Sequence, residues 1–254
     1  MRKVILRAVP AIVLIAVMLV TIPAYAAPGA PRIPGLRLGT STNWSGYAVE
    51  TNLVTPAANA VTDVKGSWMV TTVTATPLNA YSASWVGIDG YSSNTVEQLG
   101  TESDWVNGRA VYSAWYEMYP KKSMNITTLR IKPGDVMTAE VSYSAKTGFT
   151  LTMTDTTTLK TFSVSQKSGS AKRSSAEWIV EAPWSGGTLP LANFGEIPFT
   201  RASATINRHT GTISDSLWQH DPLTMVGASR TTLAVPSDLS SDGSAFSMTW
   251  KASN

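Results

Sequence analysis

Carboxylates and amides set beside tryptophan and tyrosine are the groups in this sequence that could do chemistry. Strand side chains alternate between two faces. In Trp85-Val86-Gly87-Ile88-Asp89, that alternation puts Trp85 and Asp89 on one face and Val86 and Ile88 on the other. In the run from Val111 to Tyr119, Trp115, Glu117 and Tyr119 share a face. In Ala176 to Glu181, Glu177, Ile179 and Glu181 share one face, while Trp178 and Val180 take the opposite one. Glu97 and Gln98 form an adjacent polar pair on a further strand. Buried positions seldom take carboxylates. Acids repeated beside aromatics therefore point to a concave groove that holds an extended polymer, either a peptide or a sugar chain.

Other chemistries are excluded by what is missing. The chain has no cysteine, which removes thiol catalysis. Its two histidines, His209 and His220, stand apart in loop-like contexts, and no HExxH or His/Cys cluster suggests a metal. No GxSxG elbow, GxGxxG or phosphate-binding loop occurs, and no Asp-Thr-Gly or Asp-Ser-Gly pair. No metal and no cofactor is expected. Carboxylates and amides remain, able to act as general acids and bases or as oxyanion donors.

Many short strands must position these groups. Beyond Ser41 the chain is rich in Thr, Ser, Val, Tyr and Trp with alternating polarity. Strands are expected near 43–50, 62–70, 82–89, 95–101, 109–119, 125–131, 136–144, 149–155, 160–166, 174–182, 200–206, 230–235 and 245–251. Turns such as Lys132-Pro133-Gly134-Asp135 separate them, and 207–229 reads as a long loop. No stretch keeps a helical apolar period. The pattern predicts an all-β fold, an antiparallel double-sheet β-sandwich of jelly-roll or concanavalin-like form, over residues 41–254.

The N-terminus has a different composition. Arg2, Lys3 and Arg7 precede an apolar run from Ala8 to Val20 and the small-x-small site Ala24-Tyr25-Ala26. This is the pattern of a secretory signal peptide over residues 1–26. The apolar run is shorter than the ~20 residues that span a bilayer. Residues 27–40, rich in proline and glycine, read as a leader or short pro-segment. Without the three cations of residues 1–26, the twenty Lys and Arg fall to seventeen, equal to the seventeen Asp and Glu. A neutral mature chain gives no argument for nucleic acid or an anionic membrane as partner. The expected product is a secreted, extracellular monomer.

The stretches NWSGY (43–47), WVGIDG (85–90), EQLG (97–100), AWYEMYP (114–120) and AEWIVE (176–181) occur in the order seen in the glutamic peptidases, the eqolisins. The chain resembles that family from about Asn43 to Glu181, and more weakly to its C-terminus. Having no cysteine and no net charge when mature, it looks more like the prokaryotic branch than the fungal one. The resemblance implies a double antiparallel β-sandwich and an endopeptidase that cleaves proteins at acid pH. It places the catalytic pair on Gln98 and Glu181, and supporting groove residues on Trp44, Trp85, Asp89, Glu117 and Tyr119. A further groove acid of the family falls within QLGTESDW, two residues longer than the fungal QTGFDW. Asp104, followed by Trp105, is the preferred match, and Glu102 competes with it.

Two other functions suit an aromatic-lined double sheet. A lectin-like module would bind polysaccharide or peptide without cleaving it. A glycoside hydrolase could use Glu117 and Glu181 at the carboxyl separations that sugar hydrolysis requires. Neither gives Gln98 a chemical task.

Overall fold

The computed structural model describes residues 39–254, so residues 1–26 and nearly all of 27–40 lie outside the described residues. In chain order the strands are β1 (Gly39–Ser41), β2 (Trp44–Glu50), β3 (Val61–Met69), β4 (Ala83–Ile88), β5 (Val96–Val106), β6 (Arg109–Tyr119), β7 (Met124–Asn125) and β8 (Val136–Ser144). They continue with β9 (Gly148–Asp155), β10 (Lys160–Gln166), β11 (Ser175–Glu181), β12 (Glu196–Ile206), β13 (His209–Gly211), β14 (Gln219–Val226), β15 (Thr232–Pro236) and β16 (Phe246–Trp250). Their composition explains them. In β9, Phe149, Leu151 and Met153 face inward, while Thr150, Thr152 and Thr154 face the exposed side, the two-residue period of a half-buried strand.

Hydrogen bonding runs in one path: β10-β9-β8-β3-β12-β16-β15-β14-β2-β11-β4-β5-β6-β7. The path folds back on itself near β15 and β14, so that β4, β5 and β11 lie over β3, β8 and β9. The result is a double-sheet sandwich, antiparallel except where β1 joins β14. Indole N–H groups tie the layers. Trp178 Nε1 donates to Lys65 O at 2.8 Å, and Trp68 Nε1 donates to Thr101 Oγ1 at 2.9 Å. Each bond pairs a donor that burial would otherwise leave unsatisfied.

Two stretches depart from the sequence expectation. Residues 207–229 are not a long loop, because they contain β13 and β14. Asn207 and Arg208, both at positive φ, make the tight turn that pairs Ile206 with His209. In β14, Asp221, Leu223 and Met225 are buried in alternation, but the polar start and Pro222 hide that period. Pro222 is accommodated where β14 pairs only with β2, opposite Tyr47. The strand expected over 125–131 shrinks to β7, beside Trp115 and Tyr116.

The alternation read from β6 and β11 holds, and that of β4 holds as far as Ile88. Val86, Ile88, Trp178 and Val180 join the core between the sheets. Trp44, Trp85, Trp115, Ile179 and Tyr119 gather on the opposite face of the layer formed by β2, β11, β4, β5 and β6.

Candidate active site

That second face is built in rows across β2, β11, β4, β5 and β6. One row runs Gly46, Ile179, Trp85, Gly100, Trp115. Gly100 is needed there. A Cβ on it would press on Ser84 O and lie 2.6 Å from Trp85 Cβ and 3.1 Å from Trp115 Cζ2. Glycine thus makes room for two indoles in one row. Gly100→Ala should destabilise the fold by about 2 kcal/mol, the usual scale of overpacking. A urea midpoint equal to wild type would contradict that.

On either side lie the rows with the chemistry. Glu181 pairs with Trp44 on β2 and with Ala83 on β4, and Ala83 pairs in turn with Glu102 on β5. Glu177 pairs with Gly87, Gly87 with Gln98, and Gln98 with Glu117. Glu181 is buried and both its oxygens accept hydrogen bonds: Oε1 from Asn43 Nδ2 at 3.1 Å and Oε2 from Trp85 Nε1 at 2.9 Å. Trp44 packs edge-on against Trp85, with ring centroids 4.9 Å apart. Gln98 Nε2 donates to Glu117 Oε2 at 2.8 Å. Gln98 Oε1, Trp44 Nε1 and Trp115 Nε1 are buried with no hydrogen-bond partner among the described residues.

The carboxyls around Glu181 resist ionisation. Burial pushes Glu117 up to about 8; the Gln98 hydrogen bond opposes this and the neighbouring Glu181 adds to it. Glu102 rises well above the ordinary range, first by burial, then by Asp104, Glu181 and Glu117. Burial raises Asp104 to about 7, against hydrogen bonds from Ser82 and Glu102. Loss of water disfavours the charged form, and neighbouring acids add to that effect.

The expected site residues are not all brought together. Glu181, Trp44 and Trp85 are, Gln98 and Glu117 form a second pair, and Tyr119 packs at the margin of the aromatic cluster. Of the two competing acids, Glu102 stands in register with Glu181 and senses both Glu181 and Glu117. Asp104 lies one step further along β5, where it accepts from Ser82 N at 3.1 Å. Asp89 departs from the expected face. It follows the end of β4 with φ 73, so strand alternation does not reach it. Its carboxylate accepts from Arg173 N at 2.7 Å, Ser174 N at 3.0 Å and Ser174 Oγ at 3.1 Å, pinning the segment that leads into β11. Sequence reasoning gave Asn43 no role, although it stands in the NWSGY stretch. Among the described residues, no group of three His, Cys, Asp or Glu side chains is arranged to hold a metal ion.

The family model described as the peptidase A4 family matches residues 42–245. Scytalidopepsin B of Scytalidium lignicola is 33% identical over 150 residues, 54% of this chain and 56% of that protein. The chain thus spans little more than half the length of that curated relative. A crystal structure of scytalido-glutamic peptidase with a peptide-based transition state analog superposes with a TM-score of 0.68 at 24% identity, covering 83% of this chain and 98% of that one. Aspergilloglutamic peptidase from Aspergillus niger gives 0.60 at 27% identity, covering 68% and 99%.

Proposed function

Because the chain belongs to the peptidase A4 family, we propose that it is a secreted endopeptidase that hydrolyses peptide bonds at acid pH with Glu181 and Gln98. The observation that carries this reading is that two hydrogen-bonded pairs stand on one sheet face: Glu181 with Trp85, and Gln98 with Glu117. The row of Ile179, Trp85 and Gly100 lies between the row of Glu181 and the row of Gln98, so the carboxylate and the amide flank the same indole row.

Glu181, with N–H donors on both oxygens, is the proton acceptor. It takes a proton from a water as the water oxygen bonds to the scissile carbonyl carbon. The carbonyl π electrons move to oxygen. Gln98 has one N–H on Glu117 and turns the other to that oxyanion. The C–N bond then breaks, and the proton held by Glu181 passes to the leaving nitrogen. A neutral amide donor works at any pH. Glu117 and Glu102, raised by burial, stay protonated in acid, so their charge does not oppose ionised Glu181. Acid pH suits this division of roles.

Substrates are proteins and peptides, held as extended chains over the sheet face that Trp44, Trp85 and Tyr119 build. The enzyme works as a monomer and needs no cofactor. Secretion rests on the signal-like residues 1–26.

Gln98→Ala should lower kcat by about 10²–10³, or about 2.7–4 kcal/mol of oxyanion stabilisation. KM should change little, because the donor acts mainly in the transition state. Steady-state kinetics on a chromogenic peptide measure this. A folded Gln98→Ala protein with wild-type kcat would exclude Gln98 from the reaction.

A further inference from the structure

We propose that Asn43 is a positioning residue, the third member of the constellation, which fixes Glu181 as the proton acceptor and is itself oriented by Ser41. This rests on the reading of Glu181 and Gln98 as the reacting pair.

The hydrogen bonds determine which way Asn43 points. Ser41 Oγ accepts the backbone N–H of Asn43 at 3.3 Å and that of Trp44 at 3.1 Å. With its acceptor positions occupied, the hydroxyl turns its own hydrogen to Asn43 Oδ1, 3.2 Å away. Asn43 therefore spends its carbonyl on Ser41 and presents its NH2 to Glu181 Oε1 at 3.1 Å. The assignment of amide oxygen and nitrogen follows from this network. Backbone contacts hold the assembly: Ala182 N, next to Glu181, donates to Asn43 O at 2.8 Å. Asn43 is almost fully buried, so water does not substitute for it.

The consequence for Glu181 is directional. An amide NH2 and an indole N–H donate but do not accept. A proton on the lone pair facing either donor would collide with an N–H. The proton Glu181 takes from water must go to a lone pair turned away from Asn43 and Trp85. Glu102 on β5 and Glu117 on β6 also face Glu181, but each is a raised carboxyl and neither is an N–H donor. β1 anchors the arrangement. Gly39 N donates to buried Asp221 Oδ1 at 3.1 Å, which sets the strand carrying Ser41 against β14. A third group that orients the base is the usual logic of such constellations.

The test compares kcat, KM and the pH profile of kcat/KM for wild type, Asn43→Asp, Ser41→Ala and Glu181→Gln, each checked for folding by circular dichroism. Asn43→Asp keeps the shape and replaces the donor by an acid. Its kcat should fall at least about tenfold with KM within about twofold, and the acid limb should rise by about one pH unit. Ser41→Ala frees the amide to turn, and should move the limb the same way by less. An acid limb unchanged in Asn43→Asp, with or without lower turnover, would reduce Asn43 to a structural residue and overturn the proposal. If Asn43→Asp does not fold, the limb of Ser41→Ala decides by the same criterion. Inactive Glu181→Gln beside an unaltered Asn43→Asp removes only the role of Asn43, whereas active Glu181→Gln removes the reacting pair as well.

Discussion

Glu181→Gln is expected to abolish measurable peptide hydrolysis, lowering kcat by about 10²–10⁴, the range for loss of a general base. Glutamine nearly matches glutamate in volume, and its carbonyl oxygen can still accept from Trp85 Nε1 or Asn43 Nδ2, the two donors now on Glu181. Packing around the site should persist. The lost capacity is the uptake of a proton from water. Glu102 does not replace it, because burial and three neighbouring acids keep its carboxyl protonated well above the ordinary range. Glu117 is raised to about 8 and already engaged by Gln98. A thermal unfolding curve alongside the kinetics separates loss of chemistry from loss of fold. Stability should fall by about 1–3 kcal/mol, since the glutamine carbonyl can satisfy only one of the two buried donors and its NH2 faces the other. Turnover within about tenfold of wild type in a folded variant would remove Glu181 from the mechanism.

The second large effect concerns stability, which should fall steeply as pH rises. Burial, then the charge of Asp89, pushes Glu97 up to about 8 from an ordinary 4.5, and Glu117 rises equally. Asp104 and Asp63 rise to about 7, both chiefly by burial. Glu177 and Glu102 go well above their ordinary values. Raised folded-state values mean that the fold binds more protons than the unfolded chain across this interval. The stabilisation is fully present below about 4 and is lost as pH climbs through about 7 to 8. Each such carboxyl loses stabilisation across that window, and several of them act in the same direction. Asp215 and Asp242 act with the opposite sign, contributing above about 4 and losing their effect as pH falls, but Asp242 is exposed and Asp215 lies at the surface, so both count for little. Melting temperature at pH 4, 6 and 8 should drop at each step. Glu97→Gln should lessen the fall, because it keeps the volume and cannot ionise. A flat or rising curve would contradict the protonated-core account.

The two-residue alternation was enough to separate Val86 and Trp178, which enter the interior, from Trp85 and Glu181, which do not. It failed wherever the backbone leaves the strand. Asp89 reads as the next residue on the face of Trp85, yet its left-handed conformation turns it to Arg173 and Ser174. Between Glu102 and Asp104 the local sequence offers only the neighbouring Trp105, whereas register adds what it lacks: Ala83 pairs with both Glu102 and Glu181. Asn43 could not be found by local reasoning. Its partner is 138 residues away, and the side chain lies between two strands rather than on either. Strand β14 was hidden by Pro222 and a polar start, whose cost is removed by an unpaired side at that point. Local pattern thus reports faces, while roles set by long-range pairing require the fold.

Cleavage of an acid-denatured protein substrate by the purified protein from pH 2 to 7, measured as new α-amino groups and run beside Glu181→Gln, tests the central claim most directly. The account predicts peptide release that is greatest in acid, declines toward neutrality and is absent in the variant. A folded wild-type protein that releases no peptide at any pH, or a Glu181→Gln protein that releases as much as wild type, would contradict it. The first of these results would leave a β-sandwich that holds its polymer without cutting it.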